Sequence, residues 1–500
     1  MKKYLLLILP LCLICGSLSS QSWVVDYHGS HPSGSTHLYS GFVDADGVTF
    51  LSGREGSDTD HPEALVMRIN PDGSHSEYVY HKDGYYSNAT SVVETDDHNL
   101  FVAGNMFDNN DDYVMILLFD KDLNLLEEKT IEKEVEAISF GKCTCAPDSH
   151  GNTIVATRIK QLSINDSFIF RGVFYKFDRQ GNLLSHRYLI EDYPDPVFFI
   201  MNFWLKQMWY NEENETLLCL ASGNGGVTSF ITLDSAFNYI EEYPIWKDPD
   251  ETSDHTLYQD CYTDHWFSDD EALFFGGKGN DERCRLRVTR VNTKGEILQF
   301  IQLNERPDTI DSPCKNRCMA APNDSTFYFS FYQHIYPYYP GTACVYLLND
   351  KLDIIGRHLD TSHENFRTSL ILPTQDGGCI TVNDSCNNTM FLNHGHPVVT
   401  KLNRDDFETF TWSIPQQQQV THQLYPNPTT HLLTIPLDNM DITHARCRIC
   451  DQYGHTVADR EIHGEGTVLQ LDVSGLHPGL HFLQIYVNGK TLLSEKFIKE

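Results

Sequence analysis

The hydrophobic pattern of residues 36 to 410 repeats itself. An apolar run with the length and turn boundaries of a β-strand ends, Asn or Asp follows, and a short turn closes the unit. This happens at Ile69-Asn70-Pro71-Asp72-Gly73, Phe119-Asp120-Lys121-Asp122-Leu123, Phe177-Asp178-Arg179-Gln180-Gly181 and Leu233-Asp234. It happens again at Val291-Asn292-Thr293-Lys294-Gly295, Leu348-Asn349-Asp350-Lys351-Leu352 and Leu402-Asn403-Arg404-Asp405-Asp406. The Asn/Asp positions 70, 120, 178, 234, 292, 349 and 403 are separated by 50, 58, 56, 58, 57 and 54 residues. Upstream of the turn comes an acidic or glycine-bearing hairpin and a strand ending in small residues. Examples are Asp46-Gly47 with Phe50-Leu51-Ser52-Gly53, His98-Asn99 with Phe101-Val102-Ala103-Gly104, and Glu271-Ala272 with Phe274-Phe275-Gly276-Gly277.

Each unit therefore holds about four short strands, the content of one propeller blade. A single blade would leave two apolar faces in water, so blades must stack radially and close a ring. Seven copies predict a seven-bladed β-propeller. Two closures are open: Trp23 to Tyr27 can pair with the last blade, or the run Phe407 to Ile414 can complete it. Two separate β-sandwiches are the weaker alternative, because a uniform period would then need its own cause.

Residues beyond 424 follow a different β pattern. Leu432, Thr434 and Pro436 interleave with Leu433, Ile435 and Leu437, and Leu469, Leu471 and Val473 alternate with polar neighbours. Gly475-Leu476-His477-Pro478-Gly479 bends the chain before Phe482 to Val487, and Asn488-Gly489 suits a two-residue hairpin before Thr491 to Ile498. A small antiparallel Ig-like β-sandwich is expected.

Four landmarks stand in order in that tail. They are Tyr425-Pro426-Asn427-Pro428-Thr429 after the Gln416 to Gln419 run, Asp451-Gln452-Tyr453-Gly454, Leu476-His477-Pro478-Gly479, and the basic, aromatic end Lys496-Phe497-Ile498-Lys499. Together they resemble the type A sorting domain of type IX secretion cargo. Tyr425, Pro426, Asn427, Pro428, Gly454, Gly479, Lys496 and Lys499 carry the resemblance. His481 stands where the family usually has Tyr, and Cys450 where an aromatic is common. The resemblance implies recognition by the type IX secretion machinery, removal of the domain by its sorting peptidase, and attachment of the cargo to anionic lipopolysaccharide. An ordinary Ig-like accessory domain is the rival reading. The repeats of the middle region resemble those of bacterial secreted β-propellers, with low specificity.

The amino terminus agrees with export. Lys2-Lys3, the apolar run Tyr4 to Cys15 and the small residues Gly16 to Ser20 read as a cleaved signal peptide, the run being too short to span a bilayer. Cys15 raises a lipoprotein alternative, which Ile14 disfavours. The expected organisation is a signal peptide at 1–20, a propeller of seven repeats of about 55 residues at 22–414, a linker at 415–423 and the sorting domain at 424–500.

Charge and cysteine content narrow the partners. With 37 basic and 69 acidic residues the net charge is −32, which argues against nucleic acid. Fourteen cysteines become twelve once the signal peptide leaves, an even number in an oxidising compartment. Local bridges are conceivable for Cys379 with Cys386 and for Cys314 with Cys318, while Cys143 and Cys145 are badly placed to join each other. Cys447 and Cys450 as half a zinc site lack a second pair.

No His-Glu-x-x-His helix, Gly-x-Ser-x-Gly elbow, phosphate-cradling loop or sialidase-type aspartate box occurs, and no cofactor is implied. Asp108, Asp111 and Asp112 form the densest acidic loop, a weak calcium candidate without the EF-hand glycine and glutamate. His28, His31 and His37 cluster near the mature start, and His394-Gly395-His396 lies in the seventh repeat. Either group could hold a transition metal, yet neither has a third ligand at defined spacing, which favours surface histidines. The triplets starting at Asp234, Asp308 and Asp324 resemble a short O-glycosylation motif.

Tyr336, Tyr338 and Tyr339, stiffened by Pro337 and Pro340, form a candidate contact loop for protein or sugar. The expected function is a secreted or surface-displayed binding or adhesion module for protein or glycan. An extracellular hydrolase with its site on the propeller loop face, or a structural envelope component, are the alternatives.

Overall fold

The computed structural model describes residues 22–30, 35–56, 61–108, 111–132, 139–162, 168–189, 204–222, 228–245, 258–268, 270–278, 285–302, 309–313, 316–335, 338–360, 366–386, 395–409, 426–436, 445–451, 456–462, 468–487 and 490–500. The chain forms two compact units, Met1–Thr411 and Trp412–Glu500. Strands dominate both, and among the described residues no helix is long and apolar enough to cross a membrane.

Seven antiparallel sheets make the first unit a seven-bladed β-propeller. Blade 1 runs from Thr36–Val43 to His75–Tyr80, blade 2 from Tyr86–Glu94 to Leu125–Glu132, and blade 3 from Ser139–Phe140 to Leu183–Tyr188. Blade 4 spans Trp204–Asn211 to Tyr239–Pro244, blade 5 Tyr258–Ser268 to Ile297–Gln302, and blade 6 Thr309–Pro313 to Ile354–Asp360. Blade 7 takes Phe366–Pro373, Cys379–Cys386 and Gly395–Leu402 from the far end of the unit and its outermost strand, Trp23–Asp26, from the near end. The amino-terminal strand thus closes the ring. Of the alternative run, Glu408–Thr409 instead extends blade 6 by pairing with Ile354–Asp360.

Alternation within each strand explains the stacking. Phe50, Ala64 and Val66 of blade 1 pack with Val102, Met115 and Leu117 of blade 2, whereas their neighbours Leu51, Leu65 and Met67 pack with Leu372, Ile380 and Val399 of blade 7. In blade 2 the odd residues of the third strand face blade 1 and the even ones, Val114, Ile116 and Leu118, face blade 3. A strand buried on both faces must be apolar without interruption, as in Met115-Ile116-Leu117-Leu118. Further shared cores join blades 3 to 4, 4 to 5 and 6 to 7, and Phe267 meets Phe327 edge-on at 6.0 Å between blades 5 and 6.

The recurring Asn/Asp marks the turn between the third and fourth strands. In blades 1 to 6 its carbonyl accepts the N–H three residues on, and its own N–H donates to the carbonyl four residues on, as for Leu123 N to Asp120 O at 3.1 Å and Asp120 N to Asn124 O at 3.1 Å. The side chain adds two bonds in most copies: Asp178 Oδ1 accepts from Gln180 N at 2.9 Å and Asn182 N at 2.8 Å. That geometry places the residue at +3 in the left-handed region, with φ of 84°, 64°, 72°, 63°, 77° and 65° at Gly73, Leu123, Gly181, Phe237, Gly295 and Leu352. Three of the six are not glycine. Their side chains are buried, Leu123 at 6%, Phe237 at 1% and Leu352 at 3% exposure, so packing outweighs a backbone cost of roughly 1–2 kcal/mol.

Blade 7 departs from this rule at Asn403. There the N–H donates to Asp406 Oδ2 at 2.7 Å, and a short 3-10 turn, Arg404–Asp406, carries the chain away. No hairpin is needed because the fourth strand comes from the other end of the unit. Ser22 holds that junction, donating to Asp406 Oδ2 at 2.5 Å and accepting from Asn403 Nδ2 at 2.8 Å.

The second unit is an Ig-like sandwich. A four-stranded sheet from Ala445–Asp451, Thr456–Ile462, Gly479–Val487 and Lys490–Lys499 faces the pair Leu432–Pro436 and Val468–Asp472. Leu433, Ile435, Cys447, Leu471, Leu483 and Phe497 fill the space between. His481 stacks on Phe497 at 5.4 Å while its Nε2 donates to His477 O at 2.8 Å. The segments 1–20 and 415–423, expected as signal peptide and linker, lie outside the described residues.

Candidate functional site

The innermost strands of the blades surround a cavity of about 680 Å³. Blade 1 contributes Tyr39 to Phe42, blade 2 Thr90 to Glu94, blade 4 Leu205 to Met208 and blade 7 Leu370 and Leu372, so the cavity is the central channel of the ring. Strand bulges shape its wall. The register shifts between Leu38 and Ser40 and between Ala89 and Ser91 press the inner strand against its neighbour. A Cβ on Gly53 would lie 2.0 Å from His37 O, and one on Gly104 1.8 Å from Asn88 O. Those two glycines are required by close approach.

Polar bonds seal neighbouring blades along the channel. Thr90 Oγ1 donates to Cys143 O at 3.1 Å and accepts from Cys143 N at 2.9 Å, and Cys145 N donates to Ser91 Oγ at 3.1 Å. Asn316 N donates to Ser369 O at 3.1 Å, and Ile371 N to Arg317 O at 2.8 Å, joining blades 6 and 7. At the rim Lys121 bridges Asp44 at 2.7 Å and Glu94 at 3.0 Å, tying the turns of blades 1 and 2. Burial pushes the Asp44 carboxyl up, but Lys121 and the amides of Val48 and Asp46 outweigh it and hold the group below its usual range.

The lining is basic in an acidic protein. Lys142 and Arg158 of blade 3, Lys206 of blade 4 and Arg317 of blade 6 contribute cations, and among the described residues Glu94 is the only acidic side chain in the lining. Glu94 is itself engaged by Lys121 and by His98 at 2.8 Å. Lys142 Nζ lies 4.2 Å from the Tyr39 ring centre and Arg158 Cζ 4.6 Å from that of Phe170. Burial lowers the Arg158 pKa from its ordinary value. A partly buried cation such as Arg158 attracts anions more strongly than a fully exposed one, since fewer waters screen it. Burial pushes the Cys143 thiol up to about 12 and raises Cys145 further, so neither supplies a thiolate at neutral pH.

A more open second cavity of about 570 Å³ lies between blades 4 and 5. Trp209 and Trp266 meet there edge-on at 5.4 Å, beside Glu212, Glu213 and Glu241.

Several sequence candidates are placed differently from expectation. Tyr338 and Tyr339 belong to the strand Tyr338–Asn349, with Tyr338 paired to Ile335, so the expected contact loop shrinks to a two-residue connection. Tyr336 in that connection, and the side chains of Tyr338 and Tyr339, lie outside the described residues. Asp108 and Asp111 serve their own hairpin, Asp108 Oδ1 accepting from Asp111 N at 2.8 Å, and Asp112 Oδ2 accepts from Phe140 N at 3.2 Å. Cys379 is free and buried, so the local bridge to Cys386 is not formed, and Cys447 and Cys450 are also free, whereas Cys314 lies outside the described residues. Asp234 is occupied by its turn, accepting from Asn238 Nδ2 at 2.6 Å.

Residues far apart in sequence meet at the ring closure. The rings of His28 and His396 lie with centroids 4.1 Å apart, tilted by 37°, and Asp26 reaches both. His37 is directed elsewhere, 3.9 Å from Asp384. His31 and His394 lie outside the described residues. The channel cations escaped the sequence reading because no spacing links them. A usable signal exists: Lys142, Lys206 and Arg317 each sit in or just before an innermost strand of their blade.

In the tail, landmarks from opposite ends form one edge. Asn427 Oδ1 accepts from Ile498 N at 2.9 Å and Asn427 Nδ2 donates to Lys496 O at 3.4 Å. Thr429 N donates to Ile498 O, and Glu500 N to Thr429 O, both at 2.9 Å. Pro426 and Pro428 flank Asn427, Gly479 adopts φ 141° at the start of its strand, and Lys499 is buried to 7% exposure with Lys496 exposed. Tyr425 and Gly454 lie outside the described residues.

Residues 423–500 match the family model of the secretion system C-terminal sorting domain. Among curated proteins none is similar in sequence. Solved structures similar to the chain include polysaccharide lyase Uly1, at 10% identity over 75% of this chain and 91% of that one, with a TM-score of 0.44. The Dos1 propeller is similar at 10% identity over 77% and 95%, TM-score 0.40. The β-propeller domain of the Trilobed protease from Pyrococcus furiosus is similar at 9% identity over 77% and 98%, TM-score 0.39. Likeness at this level carries no activity or ligand across.

Proposed function

From the premise that this chain is type IX secretion cargo bound for the cell surface or the extracellular space, we propose that its propeller is a binding module for a small anionic group on an extracellular protein or glycan. The observation that carries the reading is the channel: among the described residues, four cations and one carboxylate line a cavity in a protein of net charge −32. Large polyanions are repelled by the outer surface at long range. Within a Debye length of about 8 Å at physiological salt the local cations dominate, so the site favours a carboxylate-bearing terminus that fits inside. The volume falls in the roughly 300–1,000 Å³ range of small-ligand sites. Removal of the tail by a sorting peptidase and anchoring to anionic lipopolysaccharide belong to the same proposal.

Arrays of acidic and neutral glycans and peptides, probed with the purified protein, test it. Acidic members should be retained, with binding that weakens as salt rises. Lys142→Glu and Lys206→Glu should each reduce affinity by about tenfold or more, as expected for reversing one charge near a bound anion. Retention of neutral ligands with no loss in either variant would remove the channel from consideration. Turnover of any ligand would replace binding by catalysis.

A further inference from the structure

We infer that Asp26, His28 and His396 form a site for a divalent transition metal of the zinc class, and that the bound ion pins the strand closing the propeller ring. The closing strand Trp23–Asp26 pairs antiparallel with Gly395–Leu402, Asp26 opposite Val398. Tyr27 N then donates to Pro397 O at 3.1 Å. Continuing the register by one residue sets His28 directly across from His396, which is why their rings lie 4.1 Å apart. Side chains two residues apart on a strand share a face, and Asp26 stands two before His28. Its Oδ1 is 2.9 Å from His396 Nε2 and its Oδ2 3.4 Å from His28 Nε2.

One donor atom from each residue lies within 4.8 Å of the other two. A tetrahedral ion bonded at about 2.0–2.1 Å needs donors roughly 3.4 Å apart, so small side-chain rotations complete the geometry. Two imidazoles and one carboxylate suit zinc-class ions better than calcium, which takes six to eight oxygens. The fourth position faces solvent. Asp26 and His28 are exposed at 41% and 67%, giving the ion a path in, while His396 is 13% exposed and anchored in blade 7. Because the ligands come from the first strand and the last blade, the site exists only when the ring is closed. An ion that binds only the closed form stabilises it.

Zinc titration of the purified protein by calorimetry, with hydrogen exchange at residues 23–27, provides the test. One ion per chain should bind, and exchange across the closing strand should slow. His28→Gln and His396→Gln should each weaken binding about a hundredfold, and Asp26→Asn about tenfold, with the metal-free stability of each variant measured alongside. Copper(II), used as a spectroscopic probe, should show coupling to two imidazole nitrogens. Three results overturn the inference: no saturable binding at sub-millimolar zinc, undiminished binding in the double histidine variant, or copper coupled to a single nitrogen.

Discussion

Replacing Phe237 by glycine and, separately, by alanine should give an order opposite to the usual one. In most strand and helix positions alanine is better than glycine by roughly 0.5–1 kcal/mol, because glycine has more freedom to lose. Phe237 sits at φ 63°, is 1% exposed, and stacks on Phe174 of the neighbouring blade at 5.5 Å. Either truncation forfeits a buried aromatic, about 3–5 kcal/mol including the lost ring pair. Alanine keeps the left-handed backbone cost of roughly 1–2 kcal/mol, whereas glycine is relieved of it. Phe237→Gly should therefore be destabilised by about 2–4 kcal/mol and Phe237→Ala by up to about 1 kcal/mol more. The control is Ile231, fully buried in an extended strand of the same core, where alanine should be the milder change. Equilibrium urea unfolding followed by tryptophan fluorescence, compared at constant slope, reads both pairs. If Phe237→Ala unfolds at the same or higher urea than Phe237→Gly, the claim that these turns carry a left-handed backbone cost is wrong.

Three further outcomes follow from the same geometry. Gly104→Ala would place a methyl 1.8 Å from Asn88 O, so the inner strand of blade 2 must shift, costing about 2–4 kcal/mol; a thermal midpoint equal to wild type would show the bulge to be adjustable. The carboxyl of Asp148 is buried and paired with Lys176 at 2.7 Å. Burial pushes it up, while Lys176, the Asn152 side chain and the amides of Asn152 and His150 together hold it below its usual range. The folded state thus holds fewer protons than the unfolded, and this stability is complete above about pH 4 and lost as pH falls through the lowered folded value. The acid limb of the urea midpoint should be shallower in Asp148→Asn, and an unchanged limb would assign acid sensitivity to other groups. In the tail, Asn427→Ala removes the acceptor for Ile498 N and should cost about 1–2 kcal/mol, lowering export of a reporter carrying residues 416–500 in a type IX-competent host. Asn427→Asp keeps the acceptor and should be milder, and full export of the alanine variant would detach this edge from recognition.

Local turn chemistry is what the sequence wrote most clearly. Asn70, Asp120, Asp178, Asp234, Asn292 and Asn349 are bound by their own neighbours up to four residues away, so any chain carrying that pentapeptide logic turns there, and counting the turns counts the blades. The uninterrupted apolar strands likewise follow from burial on two faces. The tail was legible for the same reason, its turns and strands being short-range features in a fixed order.

Ring closure was not legible, because Asn403 carries the same signal as its six counterparts and yet leads away from the blade. What decides is competition for one sheet edge: Trp23–Asp26 occupies the outer edge of Gly395–Leu402, which leaves Glu408–Thr409 to blade 6. The channel cations and the Asp26, His28 and His396 cluster were hidden for a related reason. The sequence by itself determined strands, turns and their number, since those depend on residues a few positions apart. Which side chains face one another across the axis or across the closing seam depends on loop closure over most of the chain, and only the packed ring fixes it.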